Sequence, residues 1–120
     1  MAATSRRLIV DGMNVIGSRP DGWWRDRPGA MRRLVESLEG VDDYDPVVVV
    51  LDGKPFDLSG DRVEVRFASR RGPNAADDDI AAIAEEGDTV VTSDADLERR
   101  VRANGANVIG AGAFRRRLDD

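Results

Sequence analysis

The sequence has no cysteine and no histidine. Their absence excludes disulfides, cysteine-based zinc sites, thiol nucleophiles and any mechanism that turns on an imidazole base. Long hydrophobic stretches are missing as well. No apolar run exceeds five residues, Val47 to Leu51 among them, against the ~20 needed to cross a bilayer. Met1 to Arg7 carries basic residues, but no apolar segment of signal-peptide length follows, so a cytoplasmic protein without a membrane partner is expected. Aromatic residues make up only 5% of the chain, and Lys54 is its one lysine.

What is present is an ordinary globular balance, 41% hydrophobic and 34% charged over 120 residues. That supports one domain spanning 1–120. With imidazole and thiol gone, carboxylate is left for acid–base or metal chemistry, and aspartate outnumbers glutamate. Its short arm suits hard, oxygen-loving cations such as Mg2+ or Mn2+. The net charge of −5 argues against wholesale coating of nucleic acid. Apart from Lys54 every basic side chain is an arginine, the group best shaped for bidentate phosphate contact.

Three apolar segments run into an aspartate: Leu8-Ile9-Val10-Asp11, Val47 to Leu51 followed by Asp52, and Thr89 to Ser93 followed by Asp94. Residues 7–11, 47–52 and 89–93 do not alternate, which predicts strands buried on both faces. Val63, Val65 and Phe67 alternate with Glu64 and Arg66, as a half-exposed edge strand does, and 106–109 reads as a last strand. Helices are predicted from Pro28 to Gly40, from an N-cap at Asn74 towards Gly87, from Ser93 or Asp94 to Gly105, and at the C-terminus around Phe114 and Leu118. Residues 12–27 read as an irregular loop. Alternating strands and helices with short connections imply a mostly parallel sheet of about five strands with helices on both faces. Its ligand site is expected beyond the carboxyl ends of the strands, where Asp11, Asp52 and Asp94 all lie, with Asp77 at a helix start on the same rim.

Each candidate has a plainer reading beside the chemical one. Asp11-Gly12-Met13-Asn14 is a metal-binding carboxylate with a glycine for close approach and an amide to orient water, or else a common turn pair. In Asp77-Asp78-Asp79 neighbouring acids point different ways around the helix. Asp77 is assigned to the pocket, Asp78 beside it, and Asp79 to the solvated first turn. Asp94 and Asp96 could simply cap and favour a helix start, while the Thr92 and Ser93 hydroxyls could position water or phosphate oxygens. Clustered aspartates at a few ångströms raise one another's pKa unless a cation is present. They are therefore read as a divalent-ion site of the kind that cleaves phosphodiesters. Arg19, Arg25, Arg27, Arg70 and Arg71 flank it as phosphate contacts. Trp23 and Trp24 could stack on unpaired bases, worth ~1–3 kcal/mol each, with one expected buried and one exposed.

Leu8 to Gly17, Ala76 to Ile80 and Val90 to Asp94 together resemble the NYN domain, specifically its YacP-like branch, among the PIN-like metal-dependent ribonucleases. The resemblance implies a Rossmann-like, three-layer α/β/α sandwich and an Mg2+- or Mn2+-dependent nuclease acting on single-stranded or structured RNA. It maps the family's acids onto Asp11, Asp77, Asp78 and Asp94 and its amide onto Asn14, with Asp52 and Asp96 in supporting places. Asp11, Asp77 and Asp94 are the expected metal ligands. Methionine replaces the usual aromatic after Asp11-Gly12. A catalytically silent RNA-binding or partner-recruiting domain of the same fold is the alternative. A homodimer or protein partner is left open.

Overall fold

The computed structural model of the protein describes residues 6–119. Most of the leader reading, over Met1 to Ser5, therefore lies outside the described residues. Five strands, β1 (Leu8–Asp11), β2 (Val47–Leu51), β3 (Val63–Phe67), β4 (Thr89–Val91) and β5 (Asn107–Ile109), form one sheet. Its order is β3-β2-β1-β4-β5, and every pairing is parallel. The helices are α1 (Gly12–Ile16), α2 (Arg27–Leu38), α3 (Ala75–Ile83), α4 (Ala95–Ala103) and α5 (Ala111–Asp119), with a 3₁₀ turn at Trp23–Arg25.

The unbroken apolar strands work by splitting their side chains between two cores, because successive residues face opposite sides of a sheet. Leu8, Val10, Val47, Val49 and Leu51 pack beneath α1, α2 and α5. Ile9, Val48, Val50 and Val90 pack beneath α3 and α4. The result is the three-layer sandwich expected from the sequence. β3 lies at an edge with alternating burial, as its pattern predicted.

Helix starts are fixed by capping acids. Asp26 accepts the Gly29 N–H at 3.1 Å to open α2, with Pro28 in its first turn. Asp94 accepts the Leu97 N–H at 2.8 Å to open α4. Two predictions need correction. The 12–27 segment is not wholly irregular, since it contains α1 and the 3₁₀ turn. Asn74 occupies the N-cap position of α3 but adopts φ 62° and makes no side-chain cap. Asp52, from the end of β2, caps that helix instead, accepting the Ala76 N–H at 3.1 Å.

The strand order reverses direction between β1 and β4. A crevice opens at such a reversal, outside the strands' carboxyl ends. Among the described residues no helix is long and apolar enough to cross a membrane.

Candidate functional site

Asp11 ends β1 at this reversal and is buried, 4% exposed. The chain bends into α1 immediately after it, and the bend requires glycine. A Cβ on Gly12 would stand 2.4 Å from Leu51 Cδ2 and 3.0 Å from Val50 O. Although Asp11 precedes α1, its side chain makes no capping bond to that helix. It is held from across the crevice: Thr92 Oγ1 donates to Asp11 Oδ2 at 2.9 Å. The same hydroxyl accepts the Asp94 N–H at 3.1 Å, which leaves its proton directed at Asp11. Burial pushes the Asp11 carboxyl up to about 7; the Thr92 bond opposes the rise, and the charges of Asp77, Asp52 and Asp94 add to it.

Asp77, in the first turn of α3, is half-buried and also raised, by burial first and then by Asp94 and Asp52, with Arg100 acting the other way. Carboxylates from three strand ends and one helix start thus act on one another at one rim. The Asp11 carboxyl, raised to about 7, is partly neutral near pH 7, and a nearby cation restores its charge.

The donor chemistry fits a hard divalent ion, since oxygen is all this rim offers. The geometry is looser than a cage. Among the described residues, no group of three acidic side chains is close enough to hold an ion alone. Asp11, Asp77 and Asp94, the expected metal ligands, act on one another's charge at this rim and are the side chains that could reach an ion, directly or through water.

Other predicted residues sit nearby in different roles. Asn14 Oδ1 accepts the Ser93 N–H at 2.8 Å, tying α1 to the end of β4. Ser93 Oγ accepts the Ala111 N–H at 2.8 Å and so opens α5. Both side chains stitch the rim together. Asp78 is engaged by arginines: its carboxylate receives Arg100 Nη1 at 2.9 Å and Arg70 Nη2, and these two guanidinium groups, Arg100 first, hold its pKa below the usual range. Asp96 is exposed and paired with Arg99 in its own helix. Asp79 is more than a solvated acid, for it receives the Ser69 N–H at 2.6 Å and the Ser69 hydroxyl at 2.7 Å, anchoring the loop after β3.

Among the arginines read as RNA contacts, Arg19 pairs with Asp119 and Arg70 with Asp78. Arg71 is exposed. Arg25 lies 6.0 Å from the Trp24 ring and Arg27 5.4 Å from that of Trp23. Trp23 is half-buried against the core, whereas Trp24 is 52% exposed and meets Trp23 edge-on. One tryptophan is exposed, as expected, while the other is half-buried where a buried one was expected. Sequence reasoning missed Arg100, the cation that offsets the shift of Asp77; nothing in the pattern of α4 sets it apart from Arg99 or Arg102. It also missed the buried Asp88, which Arg7 pairs at 2.6 Å just ahead of β1 and β4, at the opposite end of the sheet from the acidic rim.

No family model and no curated protein matches the sequence. Among solved structures the chain is similar to Rae1 (YacP) from Bacillus subtilis, with 27% identity, a TM-score of 0.73, and coverage of 93% of this chain and 72% of that one. A tryptophan-to-leucine mutant of the same protein gives 26% identity, a TM-score of 0.74, and coverage of 94% and 74%. The likeness to the YacP-like branch, first visible in three motifs, extends to the whole architecture.

Proposed function

We propose that this chain is a divalent-metal-dependent ribonuclease that hydrolyses phosphodiester bonds of single-stranded or structured RNA in the cytoplasm. The observation that carries this reading is the buried Asp11 carboxyl at the sheet's reversal point, raised to about 7 with Asp77, Asp52 and Asp94 contributing. A fold resembling Rae1 (YacP) over most of the chain supports it.

Asp11, Asp77 and Asp94 are the residues that would hold Mg2+ or Mn2+. Incomplete protein ligation is in keeping with magnesium, which retains waters and takes one or two carboxylates together with substrate phosphate oxygens. Such an ion supplies an activated water and neutralises charge on the reacting phosphate. The chain's own contribution is positioning. Thr92 fixes one oxygen of Asp11, Asp94 is fixed by its bond to the Leu97 N–H, and Asn14 and Ser93 keep the two strand ends in register. Trp24 offers a stacking face to an unpaired base.

Cleavage of a labelled RNA with Mg2+ or Mn2+, in parallel with EDTA and with Asp11→Asn, tests the reading. Metal-dependent cleavage lost in the variant is expected. No cleavage above that of the variant across several RNAs would sink it. Among the described residues no three acidic side chains form a ready ligand group, which favours a second reading, a silent RNA-binding domain of the same fold. Tight RNA binding indifferent to EDTA, without turnover, would distinguish it.

A further inference from the structure

Asp78 is a single carboxylate gripped by two arginines that come from different parts of the chain. Arg70 lies in the loop after β3, and Arg100 lies on α4, two residues beyond Glu98 and on the side facing α3. Arg100 Nη1 donates to Asp78 Oδ1 at 2.9 Å, and Arg70 Nη2 donates to Asp78 Oδ2, so each guanidinium takes one oxygen. This is the arrangement two arginines adopt around a phosphate, with a protein carboxylate occupying the anion's place. Neither arginine is used up. Each guanidinium has five N–H donors, and the side chains are 51% and 38% exposed.

The position of the grip gives it a use. Arg100 also acts on the charge of Asp77, so the paired arginines stand at the edge of the acidic rim, where an incoming polyanion is otherwise repelled. Behind them an open groove runs between α3 and α4, lined by Ala81, Ala82, Ala103 and Asn104. Asn104 Nδ2 donates to Ala81 O at 2.9 Å and ties its walls together. Alanine side chains leave room for a backbone to lie along it.

We propose that Arg70 and Arg100 form a binding site for a phosphodiester group of RNA next to the acidic rim, and that Asp78 is a built-in placeholder displaced by that phosphate. The assignment rests on the ribonuclease reading for its substrate class, and it goes beyond that reading by giving Asp78 a role in binding opposed to that of the neighbouring acids. As a placeholder, the carboxylate keeps two guanidinium groups oriented while no RNA is bound, and it competes with weaker anions.

The test is the anisotropy of a fluorescein-labelled oligouridylate titrated with the full chain in EDTA, so that cleavage plays no part, at several salt concentrations. Arg100→Gln should weaken binding on the order of fivefold and lower the salt slope by about 0.7, the value of one phosphate contact on a single strand. Asp78→Asn should tighten binding, by more than Asp96→Asn, which removes an equal charge from an exposed pair within α4. In the Asp78→Asn, Arg100→Gln double variant the extra tightening should shrink, because only the Arg70 guanidinium is left to be freed. Tightening equal to that of Asp96→Asn, weaker binding by Asp78→Asn, or a wild-type salt slope in Arg100→Gln would overturn the proposal. So would failure of the wild-type chain to bind. Binding with this pattern but no cleavage in metal would count against the hydrolytic reading alone.

Discussion

The Thr92 hydroxyl donates to Asp11 Oδ2 at 2.9 Å across the point where the sheet reverses its order. The two residues lie 81 positions apart in the chain, yet this bond joins the carboxyl end of β1 to that of β4. Because the same oxygen accepts the Asp94 N–H, one buried hydroxyl sets the geometry of two acids at once.

Thr92→Val keeps the shape of the side chain and removes that link. Asp11 loses its donor and the Asp94 N–H its acceptor, a loss of about 1–3 kcal/mol for groups left unsatisfied. The Asp11 carboxyl, no longer hydrogen-bonded in its charged form, rises further. The expected outcome is a lower midpoint in urea, and an RNA-cleavage pH profile displaced to higher pH. Thr92→Ser, which keeps the hydroxyl, should restore the profile. A profile identical in all three would remove Thr92 from the site.

Gly12→Ala is expected to damage the site through packing alone. The new Cβ would lie 2.4 Å from Leu51 Cδ2 and 3.0 Å from Val50 O. The leucine methyl can yield by a rotamer change but the carbonyl cannot, so overpacking of about 1–3 kcal/mol is expected. A melting temperature equal to wild type would mean that α1 shifts freely and that the bend after Asp11 is not tightly fixed.

How far these features were legible follows from the range over which each is determined. β1 and β2 were plain because unbroken apolar runs, Leu8 to Val10 and Val47 to Leu51, fit between two cores, a local signal for a buried parallel strand. Asp11, Asp52 and Asp94 could be placed on one rim by topology, since each follows such a strand. The partners of those acids were not legible. Asp52 caps α3 through Ala76, 24 residues away, and Asp78 meets Arg100 across 22 residues. Pairings of this kind depend on how helices seat against the sheet. The five-residue helix α1 was missed because one short turn has no periodicity to read, and its stability comes from packing Val15 and Ile16 into the core.

Asp88 predicts a purely structural counterpart to the acidic rim. It is buried, receives both Arg7 Nε and Arg7 Nη2, and accepts the Glu85 N–H at 2.9 Å. Arg7→Leu would leave this acid buried without its partner. The expected destabilisation is about 2–3 kcal/mol, below the ~3–5 kcal/mol of a fully enclosed pair because Arg7 is partly exposed. Denaturant titration measures it. RNA binding should survive under conditions where the variant is folded, since the pair lies at the far end of the sheet, and loss of binding by folded protein would contradict that separation.

The Asp11 carboxyl, raised from 3.8 to about 7, keeps its proton in the folded chain over a range where the unfolded chain has lost it. The folded state binds more protons there, so stability falls as pH rises from about 4 to about 7 and this group adds no further change above that. Asp77, also raised, contributes in the same direction. For Asp11 the full span is worth about 4 kcal/mol, at 1.36 kcal/mol for each unit. In EDTA, the urea midpoint should therefore be higher at about pH 5 than at about pH 8, and Asp11→Asn should flatten the difference while stabilising the chain at the higher pH. Excess Mg2+ or Mn2+ should recover part of the loss in the wild type, by ~2.7 kcal/mol at a hundredfold excess over Kd. The same addition should do little for Asp11→Asn. An equal response of both proteins to metal would detach Asp11 from any cation, and an unchanged pH slope in the variant would assign the slope to other groups.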